Sequence, residues 1–416
     1  MNKSQKWLSR KFLLYKLLTN LWFVGAIWLY FYRLFITDSQ VGILDGVAFA
    51  IGLVAEVPSG VLADKFGRDK MAKLGQILAG SGLLIQAFGS SLIPFMVGQT
   101  IMMIGVSFVS GADEALFFDK LKFKQHSLDW RKLVTRTSQI ALIGSMAAVT
   151  LGGWFYNLDP RLPWILTGLS FICSAILIWP IKETRTATHK QKLLVELKEH
   201  LLSIKSGFME FGKTKLLLYV PIIITVQGLF YTAGWGLLRL VLLDRFSFSP
   251  VAGSFVIASC SLITVGVLAY MHKHAENMSE KLILVLISVL AGTSLLLSIA
   301  NIGMWGYFII LALYVGEHVL HPFMSEAINY HTDENQRATV LSVASFLRTL
   351  PYVALAPLIG YLNTQNKLEY FLVMWTILIG AAVILYLSFK KKDSKISLVK
   401  EEAGDELRVP EVSTEN

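Results

Sequence analysis

Residues 60–70 of the chain, GVLADKFGRDK, are dense in charge and separate two long apolar runs, residues 41–62 and 73–92. As helices, runs of this length can cross a hydrocarbon layer about 30 Å thick. Lipid offers no hydrogen-bond partner for backbone N–H and C=O groups, so such runs have to be helical. The stretch therefore predicts a short charged loop between two membrane-spanning helices.

The same alternation of apolar runs and charged loops continues through the chain. Of its 416 residues, 54% are hydrophobic and 16% are charged, whereas a soluble domain carries about 25% charged residues. Too few charges remain to coat a water-facing surface, so the composition excludes a soluble enzyme. The pattern predicts an all-α membrane protein with twelve transmembrane helices, at about residues 13–35, 41–62, 73–92, 94–120, 134–156, 162–181, 216–243, 250–271, 281–300, 303–328, 338–362 and 369–389.

Positive charge is concentrated on one side of these predicted helices. Cytoplasmic loops of membrane proteins are enriched in Lys and Arg, which accounts for the net charge of +9 without a nucleic-acid partner. We therefore expect a multi-pass protein of the cell (cytoplasmic) membrane with both termini in the cytoplasm. All but six of the 38 Lys and Arg residues fall on the side of the termini, and the six are Arg33, Arg161, Arg239, Arg245, Arg348 and Lys367.

The longest predicted loop divides the chain into two halves with six predicted helices each. Within that loop, apolar residues recur at intervals of three or four from Leu193 to Phe211, which predicts an amphipathic helix in the membrane interface. The end of the chain is polar and acidic, which predicts disorder. The predicted parts are an N-terminal bundle (residues 1–181), a cytoplasmic linker (182–215), a C-terminal bundle (216–392) and a cytoplasmic tail (393–416).

The loop at 60–70 also resembles the signature of the major facilitator superfamily, G-x-L-A-D-[RK]-x-G-R-[KR], and departs from it only at Asp69. The resemblance implies that superfamily's fold, two pseudo-symmetric six-helix bundles, and a secondary transporter that works by alternating access. It also implies that Gly60, Asp64, Gly67 and Arg68 control the conformational change. The glycines would allow a tight turn and close helix approach, and Asp64 would cap the N-terminus of the eleventh helix.

Ionisable residues inside the predicted spans are energetically costly, which suggests a role in function. Glu317, His318 and His321 lie near the middle of the tenth predicted helix, and Arg348 near the middle of the eleventh. We predict proton coupling at Glu317, His321 and Arg348. The alternatives are a static Glu317–Arg348 ion pair and a metal site at the two histidines, for which the ligand set is thin. Glu114 and Glu56, nearer the cytoplasmic ends of their spans, are further candidates for proton coupling.

The predicted substrate-binding residues lie on the first and seventh helices, which by the resemblance line the central cavity. They are Asn20, Gln227, Tyr231 and Trp235, with Arg239 one turn further on. Aromatic residues at helical spacing also occur in ordinary packing, so a structural role remains the alternative.

Two further motifs bear on the function, and neither is complete, which weakens the antiporter interpretation and argues against nucleotide binding. Residues 144–153 keep three glycines of an antiporter motif but have Ala148 and Val149 in place of its central Gly-Pro. Residues 207–214 match a P-loop in letters, but no strand precedes them and bulky residues fill the loop.

We predict a proton-coupled transporter that exports a drug or metabolite. The alternatives are proton-coupled nutrient uptake and a non-transporting membrane receptor or assembly factor. We predict a monomer in the lipid bilayer, whose partners are a small molecule and protons, with no cofactor, metal or nucleic acid.

Overall fold

The structure is a computed structural model that describes residues 3–121, 127–183, 215–274, 279–332 and 336–405, with a few positions between 202 and 212. All regular secondary structure in these residues is helical, which confirms the all-α class. The helices are α1 (Lys3–Thr19), α2 (Trp28–Tyr32), α3 (Asp38–Phe66), α4 (Arg68–Phe88), α5 (Leu92–Val109), α6 (Ala112–Leu121), α7 (Ser127–Leu158), α8 (Leu162–Ile178), α9 (Gly228–Gly234), α10 (Leu237–Arg245), α11 (Pro250–His274), α12 (Glu280–Leu297), α13 (Gly306–Tyr330), α14 (Arg337–Thr364) and α15 (Leu368–Asp405).

Eight helical stretches of the described chain are long and apolar enough to cross a membrane. Two more predicted spans contain the shorter apolar helices Leu162–Ile178 and Lys281–Leu297. The predicted span 73–92 lies largely within α4, and the predicted span 13–35 is divided between α1 and α2. Twelve spans in two bundles therefore remain a prediction.

Helix α3 begins and ends as its sequence dictates. At its start Thr37 and Gln40 form a reciprocal capping box, in which each side chain accepts a hydrogen bond from the other residue's backbone N–H. At its end Gly67 has φ +101°, a conformation that side-chain-bearing residues rarely adopt, and α4 begins at the next residue. The tight turn predicted from the 60–70 stretch is therefore present.

Two of the predicted spans are broken. The span predicted at 13–35 is interrupted between Thr19 and Trp28, and α1 ends where the Asn20 side chain donates to the carbonyl of Lys16 (2.8 Å). The span predicted at 216–243 starts with mixed 3-10, α and π turns from Lys215 to Gln227, and Gly236 then interrupts it with an extended conformation. Continuous helices at these two places were a wrong prediction. The backbone there forms turns of other types, and side chains bond some of its free groups, such as the carbonyls of Gly25 and Gly234.

Two other boundaries differ from the prediction. The predicted span 94–120 is divided at Gly111, which has φ +74°. The last helix continues to Asp405, beyond the bundle end predicted at residue 392, because residues 393–403 are mostly helix-forming and contain neither Pro nor Gly. The predicted linker helix falls largely on residues outside the described ranges, as does the tail after Asp405.

We call residues 3–183 the N-half and residues 215–405 the C-half. Within the N-half α4 packs against α5 and α8, and within the C-half α9 packs against α13 and α14. The halves meet where α3 packs against α14 and where α7 packs against α11. The most extensive contacts between the halves therefore lie along these two helix pairs.

Candidate functional site

A buried ion pair joins α13 and α14 in the interior of the C-half. Arg348 Nη1 donates to Glu317 Oε1 at 2.9 Å, and Glu317 is 3% exposed. Glu317 also packs against α9, where a Cβ at Gly234 would lie 3.1 Å from its Cγ. The structure thus brings together two of the residues predicted for proton coupling. His321 lies one turn from Glu317 and is exposed.

An aromatic cluster adjoins this ion pair. The guanidinium of Arg348 lies 5.2 Å from the ring centroid of Tyr231, a cation–π distance. Tyr231 contacts the ring of Tyr352, with centroids 5.8 Å apart, and the ring of Phe49 contacts both. Phe49 belongs to α3 and the two tyrosines belong to the C-half, so the cluster crosses between the halves.

Asp45 of α3 lies on the other side of Tyr352, and we did not predict it. The Tyr352 hydroxyl donates to the carboxylate of Asp45 and accepts from the backbone N–H of Leu237 (2.8 Å). Gln99 Nε2 also donates to Asp45 (3.3 Å), which is 4% exposed. Its place in the apolar run 41–62, which also contains Glu56, was a visible signal, because charged groups inside a membrane span are rare.

Arg239 connects the two broken segments. Its Nη1 donates to the carbonyl of Gly234 (2.7 Å), and its Nη2 donates to the carbonyl of Gly25 in the N-half (2.8 Å). The side chain is buried, and its Nε has no hydrogen-bond partner in the described part of the chain. One guanidinium thus satisfies carbonyl groups that the helix breaks leave free.

The halves are also joined at one end of the molecule, which contains residues 33–38, 244–250 and 360–367. We call it the outer end, since the charge distribution predicts that it faces away from the cytoplasm. Arg33 bonds both Asp38 (2.7 Å) and Asp244 of the C-half (2.7 Å). Three further hydrogen bonds cross between the halves there, namely Asn363 Nδ2 to Asp38 Oδ2 (2.5 Å), Ser39 N to Thr364 Oγ1 (2.9 Å) and Tyr30 Oη to Phe248 O (2.8 Å).

Comparison with known proteins identifies the family. The model of the family described as Major Facilitator Superfamily matches residues 14–356. The chain belongs to the Major Facilitator Superfamily. It is a transporter and not an enzyme, which confirms the resemblance seen in residues 60–70.

Individual relatives of this superfamily member are distant. The chain is 21% identical over 359 residues to "Multidrug resistance protein 2" of Bacillus subtilis (strain 168), covering 83% of this chain and 86% of that protein. A variant of the nucleoside transporter NupG has a similar fold, with a TM-score of 0.73 at 12% identity over 92% of this chain and 99% of that one. The peptide transporter POT in complex with sulfate superposes with a TM-score of 0.72 at 14% identity, covering 94% of each chain.

The signature stretch of this superfamily member lies at the end opposite the outer end, and the polar contacts of Asp64 and Arg68 with other described residues stay within the N-half. Arg68 bonds Asp119 (3.1 Å), and its backbone N–H donates to Glu183 (2.7 Å). Asp64 is 63% exposed and pairs with Arg68 at 3.7 Å. The predicted capping of the eleventh helix by Asp64 is therefore not present in this conformation, because the carboxylate lies beside its own helix turn. Gly60 faces open space, so the close helix approach predicted there is absent too.

The remaining candidates do not join the central cluster. Asp113 and Glu114 both bond Lys16 (3.0 and 2.9 Å), and Glu56 has no ion-pair partner among the described residues. Gln227 is buried and donates weakly to the carbonyl of Leu320 (3.5 Å), whereas Trp235 is 57% exposed at the helix break.

The other histidine of α13 is engaged locally. His318 Nδ1 bonds the backbone of Tyr314 (2.9 Å), and its ring stacks on that tyrosine. Within the described residues there is no cluster of three or more His, Cys, Asp or Glu side chains that would suit a metal ion.

Proposed function

We propose that this transporter exports a small organic molecule, a drug or metabolite, across the cell membrane in exchange for protons. The observation that carries the proposal is the buried pair of Glu317 and Arg348, since two opposite charges are held within the membrane interior with the aromatic cluster beside them. The similarity to a relative named for multidrug resistance favours export.

The proposed proton coupling rests on what happens to the Glu317–Arg348 ion pair when Glu317 is protonated. Arg348 stays protonated throughout, so only Glu317 changes charge. As an anion, Glu317 is held by its partner, and the Coulomb attraction offsets the cost of burying both charges. When Glu317 takes a proton the attraction is lost, and Arg348 can then separate from it. In this proposal His321, which is exposed and one turn away, passes the proton between solvent and Glu317.

We further propose that two six-helix bundles rock about this central site, and that the conformation described here opens to the cytoplasm. The polar contacts at the outer end support that orientation, as does the exposure of Asp64 at the other end. In the outward-open state Asp64 would reach the N-terminus of α14, and with Arg68 it would hold the cytoplasmic ends together.

The test starts with a screen of small organic compounds for thermal stabilisation, because a ligand that binds only the folded state raises the melting temperature. A stabilising compound is then followed in proteoliposomes. We expect Glu317→Gln, which mimics the protonated acid, to exchange the compound across the membrane but not to concentrate it with a pH gradient. Glu326→Gln, an exposed position on the same helix, is the matched control and should couple normally.

The outcome separates coupling from a static ion pair. If Glu317→Gln lowers the melting temperature but the surviving protein still accumulates the compound in response to the pH gradient, Glu317 is structural and the proposed coupling at this site is wrong.

Nutrient uptake is the second candidate function. It is favoured by the similar folds of a nucleoside transporter and a peptide transporter. The direction of flux distinguishes the two. An exporter moves the compound against the direction in which protons flow, and an uptake transporter moves it with them.

A further inference from the structure

Asp45 is a buried acid that the proposed Glu317 cycle does not use. Among the described residues its carboxylate accepts hydrogen bonds only from neutral groups, the Tyr352 hydroxyl and the Gln99 amide. Glu317, by contrast, has the guanidinium of Arg348 in direct contact. A charge on Asp45 would therefore be offset by hydrogen bonds alone.

In the part of the chain that the structure describes, the titratable groups that interact with Asp45 are tyrosines. Tyr32 of α2, Tyr231 beside α14 and Tyr352 of α14 interact with it electrostatically, and α5 contributes the amide of Gln99. Two basic groups adjoin the aromatic cluster, and each already has partners. Arg348 lies 5.2 Å from the ring centroid of Tyr231 and is bonded to Glu317. Arg239 interacts electrostatically with Tyr352 and donates to the carbonyls of Gly234 and Gly25. A proton taken up in this pocket therefore resides on Asp45.

The position of Asp45 links its charge to the closure of the outer end. Asp45 belongs to the N-half and Tyr352 to the C-half, so their hydrogen bond exists only while α3 and α14 are together. The same Tyr352 hydroxyl accepts from the backbone N–H of Leu237, the first residue after the break at Gly236 in the predicted seventh span. Opening the outer end separates α14 from α3, which removes Tyr352 and exposes the carboxylate to water.

We propose that Asp45 is a second protonation site of this transporter, and that its protonation favours closure of the outer end. Closure removes Asp45 from water. Removing a carboxylate from water costs more than the net gain of one hydrogen bond to a charged group, so the neutral acid fits the closed state better. The ratio of closed to open molecules should then fall as the pH rises, by up to about tenfold per pH unit for one coupled proton.

This inference rests on the proton-coupled cycle proposed above, but its test needs no substrate. Spin labels at Ser91→Cys and Gln365→Cys, two exposed outer-end positions on opposite halves, report the separation of the halves. The background carries Cys173→Ser and Cys260→Ala. Distance distributions are measured by pulsed electron paramagnetic resonance from pH 5 to pH 9 in four proteins, which are the labelled parent, Asp45→Asn, Glu317→Gln and the double variant.

We expect the longer distance to gain population with rising pH in the parent and also in Glu317→Gln, where Asp45 is the remaining site. Asp45→Asn, which mimics the neutral acid, should shift the population towards the closed distance, and the double variant should not respond to pH. A flat response in Glu317→Gln, or a double variant that still responds, overturns the assignment. Retained gradient-driven accumulation in Glu317→Gln would refute the proposed coupling at Glu317, but it would not change what these distances report about Asp45.

Tyr352→Phe keeps the proposal testable if Asp45→Asn does not fold. It removes the hydroxyl that joins the halves but leaves the carboxylate in place. In a protein that also carries Glu317→Gln, we expect Tyr352→Phe to give fewer closed molecules at every pH with the dependence on pH retained. Loss of the pH dependence in Tyr352→Phe would mean that the tyrosine, and not Asp45, is the group that responds.

Discussion

Gly46 offers a direct way to force the outer end apart. It lies on α3 next to Asp45, against α14. A Cβ built at this position would lie 2.7 Å from the carbonyl oxygen of Val353 and 2.8 and 2.9 Å from two ring carbons of Pro357. Real Cβ atoms essentially never approach other heavy atoms this closely. All three atoms belong to the C-half, and one of them is backbone, so α14 as a whole has to move away.

The size of the effect follows from that geometry. Overpacking of a well-packed contact costs about 1–3 kcal/mol, and in this protein the strain exists only while the halves are closed at the outer end. Gly46→Ala should therefore shift the ratio of open to closed molecules by about 5- to 150-fold, the range that corresponds to such an energy. The N-half alone contains no clash, so the protein should fold and insert normally.

The spin-label pair at Ser91 and Gln365 measures this shift as a gain in the longer distance. Gly266→Ala is the control, since no atom lies within 4 Å of a Cβ at that helical glycine, and it should leave the distances unchanged. The reasoning is refuted if Gly46→Ala keeps the closed distance distribution, or if it loses folded protein without opening, because strain between the halves is relieved by separating them.

Three further predictions test other parts of the molecule. Lys16→Met leaves the buried carboxylate of Asp113 without its cation and should lower the free energy of unfolding by about 3–5 kcal/mol, measured by thermal unfolding. The double variant with Asp113→Asn should recover most of this loss. If it recovers none, the ion pair does not stabilise the protein. Asp64→Asn should lower the outward-open population by about 5- to 150-fold and slow transport, whereas unchanged distances and normal flux would contradict a role in gating. In intact cells Ser247→Cys should react with a membrane-impermeant thiol reagent while Thr188→Cys and Ser413→Cys do not; labelling of either of the last two would reverse the topology.

Local sequence signals predicted much of the fold. Apolar run length indicated helices, and the turn at Gly67 followed from the spacing of its stretch. The approach of Glu317 to Arg348 was also predictable, because charged residues near the middle of two membrane spans need partners. In each case the physical reason lies within a few residues of the feature or in the membrane environment common to all spans.

The rest depends on contacts between distant residues. The break between Thr19 and Trp28 contains no proline, and the guanidinium that donates to the free carbonyl of Gly25 comes from Arg239, far along the chain. In the proposed cycle the exposure of Asp64 depends on which conformation the halves adopt, and that is a property of the whole molecule. Asp45 was overlooked for a different reason, since its position in an apolar run was visible but its partner on α14 was not.

The guanidinium that bridges the two helix breaks also has a consequence for biosynthesis. The N-half leaves the ribosome first, so the carbonyl of Gly25 can accept its hydrogen bond from Arg239 only after Arg239 has been translated. In the hydrocarbon region an unpaired backbone group costs several kcal/mol. A newly inserted first span is therefore more stable as a continuous helix than in the broken form. The mature broken shape therefore forms only when the second half has docked, and a nascent chain truncated before Arg239 would hold its first span differently from the finished protein.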